Sequence, residues 1–350
     1  MDAKTPQEWA RIYEDLFPLY SGFTIKLKSL IEELLKKNGI EISQIESRTK
    51  EIHKFTEKIE RKGYKDPFNE VDDLTGIRII AYYLEDIDPI LDLLKKEFSV
   101  DPDRSIDKAQ ILDPDRFGYL SVHYILKLSS IRNGLSEWEQ YKNLRAEIQV
   151  RTVLQHAWGA INRKLAYERF EEVPKNLRRQ LYCLSALLEL GDIQFSDLRN
   201  KIERVREQYS KEVDKGELDI EIDSSSIEVY FSSKDQVLKW QDIAENAGIK
   251  VLKIDFDSKP ISSLIKIIHR ANIKTIRELD SFLSNSAEWG KDFLSNLSKK
   301  ASSEEYSPSA NIYAIIALLI MFSKKDIFSE EGKKSNHPLA RAFQEIIQEK

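Results

Sequence analysis

Two acids, Asp73 and Glu147, have the character of hard-cation ligands, because Mg²⁺ bound with nucleotide phosphates takes one or two carboxylates plus waters. Cations suited to phosphate surround them in the sequence. Lys50, Lys54, Lys58 and Lys62 recur every four residues, which on a helix makes one slowly drifting cationic row, with Arg48 before it and Arg61 beside it. No acid interrupts the row, so its members repel each other unless a polyphosphate faces them. Glu51, Glu57 and Glu60 nearby keep a merely solvated helix face as the plain alternative. Arg78 and Arg151 add phosphate-binding charge, and Tyr119 offers a stacking face; Trp158 could do the same but suits a core position better. There is no Walker glycine loop, no Gly-x-Gly-x-x-Gly and no kinase catalytic loop, so the common nucleotide scaffolds are absent. From residue types alone, the chemistry reads as Mg-nucleotide phosphoryl-type transfer.

The stretch that must position these groups is Arg145-Ala-Glu-Ile-Gln-Val-Arg151. It alternates strictly, with Ala146, Ile148 and Val150 on one side of an extended chain and Arg145, Glu147, Gln149 and Arg151 on the other. Any half-exposed strand also alternates. The polar face ends where a helix begins, since Leu154, Trp158, Ile161 and Leu165 follow at helical spacing. Ile77 to Leu84 is apolar at nearly every position, as a strand covered on both faces would be, with Arg78 as the exception at its start. In a strand over 117–128, Tyr119, Ser121 and His123 share one face. Asn133-Gly134 is a hairpin signal that pairs this strand antiparallel with 145–151. A histidine beside a tyrosine on a strand is also a common packed, hydrogen-bonded residue.

Other elements frame this sheet. Residues 6–37 carry two apolar stripes separated at Gly22, read as two helices, the second stopped by Asn38-Gly39. A short strand is expected at 40–45, helix over 47–63 with Phe55 and Ile59 as its buried ridge, loops at 63–68 and 101–115, and helices at 86–97, 152–170 and 174–213, the last interrupted near Gly191. Asp214-Lys-Gly216 reads as a linker. Beyond it, strands are expected at 218–223, 227–231 and 249–256, with helices at 236–246, 261–271, 274–284, 288–299, 309–323 and 338–349. The fold class is therefore α+β. A mixed, largely antiparallel sheet flanked by helices occupies a first domain at 1–213, and a smaller α+β domain occupies 217–350.

Composition sets the outer bounds. At 350 residues, two domains are the natural prior. Charged residues make up 32%, which suits a soluble chain, and a net charge of −5 excludes a globally basic nucleic-acid binder but not a local basic patch. The one cysteine, Cys183, rules out a disulfide framework and a cysteine-based zinc site, and reads as a small core residue of a protein in a reducing compartment. The start of the chain has no apolar run of signal-peptide type. The longest apolar stretch, 312–322, is well short of the ~20 residues of a membrane helix. A cytosolic protein with no membrane partner is expected.

Four segments, Ser47-Arg-Thr-Lys50, Asp73-Leu-Thr-Gly-Ile-Arg78, Gly118-Tyr-Leu-Ser-Val-His123 and Glu147-Ile-Gln-Val-Arg-Thr152, resemble in order and spacing the synthetase domain of the RelA/SpoT alarmone synthetases. The resemblance covers roughly residues 20–175. It implies a nucleotidyltransferase-like domain that moves the β,γ-pyrophosphate of ATP to a ribose 3′-hydroxyl of GDP or GTP, giving (p)ppGpp and AMP. By resemblance, Arg48 and Arg78 would brace the adenine, and Lys50, Lys58 and Arg61 would hold the ATP phosphates, with Lys54 grouped beside them. Asp73 would ligate Mg²⁺, and Glu147 would help hold the metal or take the hydroxyl proton. Tyr119 would stack on the acceptor base, with His123, Gln149, Arg151 and His156 on the acceptor side. No His-Asp motif of the family's hydrolase domain lies upstream, so synthesis alone is expected.

The departures fall on the acceptor side. Leu120 follows the Gly-Tyr pair where many members carry a basic or amide residue. Asn162-Arg163 and Tyr167-Glu168 stand where many carry Glu-His and Tyr-Lys. Three readings follow: a GDP/GTP pyrophosphokinase, a toxic relative that pyrophosphorylates the tRNA 3′ end, and a non-catalytic nucleotide-sensing module. The added C-terminal domain fits fused toxin–antitoxin members, in which it restrains the synthetase and senses a phage protein. Short family members often form tetramers, so a homo-oligomer is among the expected assemblies.

Overall fold

The computed structural model describes residues 4–107, 121–164, 174–233, 235–252, 259–302, 307–328 and 337–348. The chain divides into two compact units, Met1–Arg199 and Asn200–Lys350.

The first unit is built on a five-stranded sheet of order β1-β2-β5-β4-β3. The strands are β1 (Gln44–Thr49), β2 (Thr75–Ala81), β3 (Phe98–Asp107), β4 (Val122–Leu128) and β5 (Ala146–Thr152). β2 and β5 run parallel and the other neighbours antiparallel, so the sheet is mixed. β4 and β5 pair antiparallel as the sequence implies. Their connection, however, is one helical turn at Ser130–Asn133 and a 3₁₀ turn at Ser136–Tyr141, whose Trp138 and Tyr141 are buried, rather than a two-residue hairpin. Ala146, Ile148 and Val150 are fully buried, so the oily side of the alternation is the core side.

Helix α1 (Pro6–Lys37) starts at Thr5, whose hydroxyl accepts from the Glu8 amide while the Glu8 carboxylate accepts from the Thr5 amide. The two helices expected here are one. Gly22 is not a break; a methyl group there would come 2.8 Å from the Tyr141 hydroxyl, so the glycine lets the 136–141 turn lie against the helix. Phe23, Leu27, Ile31 and Leu35 from α1 join Ile77, Ile79, Ile148 and Val150 in the main core. A second, smaller core of Tyr13, Tyr20, Phe55, Ile59, Val71 and Leu74 supports one corner of the sheet.

Helix α2 spans Ile52–Lys62 with Phe55 and Ile59 buried, and ends at Gly63 with φ of 68°. It is shorter than the expected 47–63, because 47–49 belong to β1. The strand expected at 40–45 accordingly begins only at Gln44. A single helical turn, Pro67–Glu70, lies in the expected loop after α2. Helix α3 spans Ile87–Glu97, and the strand after it runs through the expected loop as far as Asp107. Helix α4 is described over Val153–Lys164; residues 165–170 of the expected helix lie outside the described residues.

Helix α5 runs from Lys175 to Lys215 without interruption. Gly191 is close-packed rather than a break, since a Cβ there would meet Leu154 Cδ1 at 3.0 Å. Cys183 is exposed on this helix, not in the core: Leu181 takes the inward place on that turn. Gly216, with φ of 80°, ends the helix.

The second unit is mostly helical. Helices at Ser224–Ser233, Asp235–Asn246, Lys259–Arg270, Ile276–Asn285, Ala287–Ala301, Ile312–Ser323 and Pro338–Gln348 enclose a core that includes Tyr230, Trp240, Leu283, Phe293 and Leu319. Its parallel strand pair is only Lys250–Val251 with Ser309–Ala310. The strand expected at 218–223 makes one isolated bridge, Glu221 to Thr275, and the strand expected at 227–231 is helix. Asp223 decides the second case. Its carboxylate accepts from the Ser226 amide at 2.8 Å while the Ser226 hydroxyl accepts from the Asp223 amide at 2.9 Å, a reciprocal cap that starts a helix. Among the described residues, no helix is long and apolar enough to cross a membrane.

Candidate active site

The polar face of β5 is one part of a row that crosses four strands. Glu46 of β1 stands opposite Arg78 of β2, Arg78 opposite Gln149 of β5, and Gln149 opposite His123 of β4. One step along, Arg48, Gly76 and Glu147 are in register. Residues two apart share a face, so the two rows together floor a cleft of about 390 Å³ lined by Lys28, Glu46, Ser47, Arg48, Arg78, Glu147 and Gln149 among others. That volume lies in the usual range for small-molecule sites.

The floor is tied together by side chains. Arg78 Nε donates to Gln149 Oε1 at 3.1 Å, and its Nη1 pairs with Glu46 at 3.3 Å. The Gln149 amide donates to Glu147 Oε2 at 3.1 Å, and His123 Nδ1 lies 2.8 Å from Glu147 Oε1. Burial pushes the Glu147 carboxyl up, but its hydrogen bonds from His123 and Gln149 prevail and hold it below the ordinary carboxylate range.

Asp73 sits at the start of β2, where Lys50 Nζ reaches Oδ2 at 2.7 Å and Lys58 Nζ reaches Oδ1 at 2.9 Å. Arg48 Nη2 approaches the same carboxylate at 3.5 Å. Burial opposes ionisation of Asp73, yet the two ammonium groups outweigh it and its pKa is lowered. For Lys50 burial prevails, and its pKa is lowered despite its acid partner. Glu147 feels the charge of Asp73, so the two acids belong to one electrostatic site.

The lysine row resolves into separate parts. Lys50 follows β1 and is not on a helix. Lys58 alone comes from α2 to join it at Asp73. Lys54 is exposed and paired with Glu51 at 3.2 Å, Lys62 is exposed, and Arg61 is exposed in the last turn of α2. Arg48, Arg78, Glu147 and Gln149 line the cleft, with His123 directly behind Glu147. Arg151 is fully buried and donates to Gln149 Oε1 at 3.2 Å, so it braces the floor. His156 Nε2 stands 4.0 Å from Glu46. Trp158 is buried, as a core residue would be. Tyr119 and Leu120 lie outside the described residues.

Lys28 of α1 lines the cleft and has no sequence signal: it is one polar position beside the buried Leu27, paired with Glu32 at 3.4 Å. Arg145, on the polar side of the alternation, serves position rather than the cleft. Its guanidinium donates to the carbonyls of Asn69 at 2.8 Å and Phe68 at 3.2 Å and meets Asp72 at 3.3 Å. It thereby fixes the segment that leads to Asp73.

Among the described residues, no three His, Cys, Asp or Glu side chains cluster as a resident metal site. Glu147 in the cleft and Asp73, whose charge it feels, do suit a hard cation that brings its other ligands as phosphate oxygens and water.

Fold and cleft define an α+β domain whose mixed sheet carries Glu147, Gln149, Arg48 and Arg78 in one cleft, with the cation-bound Asp73 just before β2. Residues 47–172 match the family model described as the region found in RelA / SpoT proteins. The chain is 25% identical over 209 residues to the GTP pyrophosphokinase YjbM of Bacillus subtilis (strain 168), covering 55% of this chain and 94% of that protein. It is 29% identical over 166 residues to the GTP pyrophosphokinase YwaC of the same organism, covering 46% of this chain and 76% of that one. Among solved structures, the small alarmone synthetase 1 from Bacillus subtilis aligns with a TM-score of 0.46 at 23% identity, over 56% of this chain and 98% of that one.

Proposed function

We propose that the chain is an ATP-dependent pyrophosphokinase that makes (p)ppGpp by transferring the β,γ-pyrophosphate of ATP to the 3′-hydroxyl of GDP or GTP. The observation that carries this is a pair of differently held acids that share one electrostatic site: Asp73 saturated by lysines, and Glu147, in the cleft, held by the imidazole of His123 and the amide of Gln149. Relatives named GTP pyrophosphokinases support it.

Phosphoryl-type transfer needs positioning and charge neutralisation more than covalent help from the protein. Lys50, Lys58 and Arg48, now gathered on Asp73, are the cations that a triphosphate would draw away. Asp73 would then be the carboxylate that holds Mg²⁺, which supplies charge neutralisation on the phosphates when bound. Glu147 accepts the proton of the acceptor 3′-hydroxyl. That oxygen bonds to the β-phosphorus, the bond from the β-phosphorus to the α,β-bridging oxygen breaks, and AMP leaves with the bridging oxygen. Arg48 and Arg78 line the same cleft and would brace the donor base.

The experiment is incubation with ATP labelled in its β- and γ-phosphates, offering GDP, GTP, ATP or deacylated tRNA as acceptor. Label on GDP or GTP together with release of AMP is expected. Label on tRNA instead would move the acceptor to the polynucleotide that the departures at Leu120 and Asn162-Arg163 leave open. No labelled product at all would reduce the chain to a nucleotide-binding module. We also propose a regulatory role for the second unit, since none of the described site residues falls within it.

A further inference from the structure

A chain of two short hydrogen bonds lies behind Glu147. Ser121 Oγ is 2.7 Å from His123 Nε2, and His123 Nδ1 is 2.8 Å from Glu147 Oε1. Ser121 and His123 are two apart on one extended segment, so both side chains point to the same face. Ser121 is 4% exposed, which removes it from contact with substrate; any effect it has must pass through His123.

The protons along this chain are set from both ends. An ionised carboxylate only accepts hydrogen bonds. The hydrogen between His123 and Glu147 therefore sits on Nδ1. In a neutral imidazole the other nitrogen is then an acceptor, and it needs a donor. Ser121 provides that donor, because a hydroxyl can turn its hydrogen toward Nε2. Histidine in water favours the opposite tautomer, with hydrogen on Nε2, so the arrangement must be held in place. Gln149 fixes the second oxygen, donating to Glu147 Oε2 at 3.1 Å, and is itself held by Arg78 at 3.1 Å and Arg151 at 3.2 Å.

We propose that Ser121 is a positioning residue that locks His123 in its Nδ1–H tautomer, and that His123 so locked holds the Glu147 carboxylate aimed at the acceptor hydroxyl. The inference rests on the assignment of Glu147 as the group that takes the hydroxyl proton. The tautomer itself can be tested without any activity.

Long-range ¹⁵N–¹H spectra of the uniformly ¹⁵N-labelled full chain report the tautomer of each of its five histidines. His123 is assigned by its loss in His123→Asn. The expected result is Nδ1–H for His123 in the wild type, moving toward Nε2–H in Ser121→Ala. A wild-type His123 that is Nε2–H or doubly protonated overturns the proposal, whatever the activity. Kinetics supply the second arm. Ser121→Ala should lower kcat about tenfold, the low end of the effect of an outer-layer hydrogen-bond partner, with both KM values unchanged, and Ser121→Thr should restore it. His123→Asn, whose amide nitrogen overlays Nδ1, and His123→Gln, whose amide overlays Nε2, should both lower kcat, the Gln variant about tenfold further than the Asn variant. Unchanged kcat in Ser121→Ala, or equal loss in both His123 variants, overturns the positioning role. A wild type that transfers no label defeats the reaction assigned above, and the spectra then decide the tautomer alone.

Discussion

Lys50 Nζ lies 2.7 Å from Asp73 Oδ2, and this bond joins the residue after β1 to the residue two before β2. The backbone around it is fixed on both sides. The Lys50 amide donates to the Leu74 carbonyl at 2.9 Å, and the Tyr13 hydroxyl donates to the Lys50 carbonyl at 2.7 Å. A buried threonine group, in which the Thr49 hydroxyl donates to Thr24 at 3.0 Å and Thr24 to Thr75 at 3.1 Å, ties the same strands to α1. The ion pair is therefore held on a frame fixed from both sides.

Asp73→Asn is expected to lower turnover by ~10³-fold or more, because it removes the acid around which the cations are organised. It also strands a largely buried ammonium group, and should cost about 1–3 kcal/mol of stability at neutral pH. The sign with pH follows from the lowered Asp73 pKa. Its stabilising share is present above the unfolded-state value of ~3.9 and is lost as pH falls through the folded-state value. Melting curves should show the gap between wild type and Asp73→Asn closing below about pH 4. A gap that widens in acid would contradict the ion-pair account. Glu147→Gln, which keeps an acceptor for His123 but loses basicity, should lower kcat by ~10²–10⁴-fold with the fold intact.

Arg145 should matter to activity without touching the cleft. Together with Arg104, which donates to Asn69 O at 2.9 Å and to Asp72 at 2.9 Å, it clamps the 68–72 segment just before Asp73. A lysine at this position cannot reproduce a planar fork that meets two carbonyls and a carboxylate. Arg145→Lys is expected to lower kcat on the order of tenfold to a hundredfold by displacing Asp73 by a fraction of an ångström. Steady-state kinetics on that variant, with helix content unchanged by circular dichroism, is the check; full activity would return Arg145 to a plain surface role.

The contrast between Arg145 and Glu147 marks how far the amino-acid pattern reaches. Alternation assigns both to one face of β5, and the burial of Ala146, Ile148 and Val150 agrees. Alternation says nothing of the sheet's order, β1-β2-β5-β4-β3, which brings Arg78 and His123 to either side of Gln149 by long-range pairing with no local signature. A four-residue period makes one cationic row of Lys50, Lys54, Lys58 and Lys62, because periodicity carries no information on where a strand hands over to a helix. Lys28 is illegible for a related reason: only the packing of α1 against the sheet turns one polar position toward the cleft. In the second unit, alternation at 227–231 suggests a strand, and the reciprocal Asp223–Ser226 cap overrides it. That cap is readable as Asp-Ser-Ser-Ser, but the β-branched and aromatic content of the following residues points the other way.

Asp192 offers a test of burial acting in the opposite direction to Asp73. It is 4% exposed and accepts a hydrogen bond from the Thr152 hydroxyl at 2.7 Å. Burial pushes its pKa up, Thr152 only partly opposing, with Glu189 adding to the rise. A raised folded-state value means that its contribution to stability is fully present below the unfolded-state pKa and is lost as pH rises through the folded-state one. Asp192→Asn keeps an acceptor for Thr152 and removes the charge, so it should stabilise the first unit at pH 7 by ~1 kcal/mol, the low end of what an uncompensated buried polar group costs. Denaturant unfolding at pH 7 and in acid measures this; a variant less stable than wild type at pH 7 would reject it.

Gly22 allows two opposed effects to be separated in one cycle. Alanine in a helix interior is favoured over glycine by ~1 kcal/mol. A Cβ at Gly22, however, would stand 2.8 Å from the Tyr141 hydroxyl, with the next ring atom at 3.8 Å. Overpacking of a filled site costs typically about 1–3 kcal/mol, so Gly22→Ala alone should be destabilising. Removing only the hydroxyl, as in Tyr141→Phe, leaves the new methyl at ordinary contact distance from the ring. The Gly22→Ala/Tyr141→Phe double variant should then recover the loss and exceed Tyr141→Phe alone by up to ~1 kcal/mol, the propensity gain. Equilibrium unfolding of the four proteins gives the coupling directly. If the double variant is no more stable than Gly22→Ala, the glycine is required by something other than the approach of Tyr141 to α1.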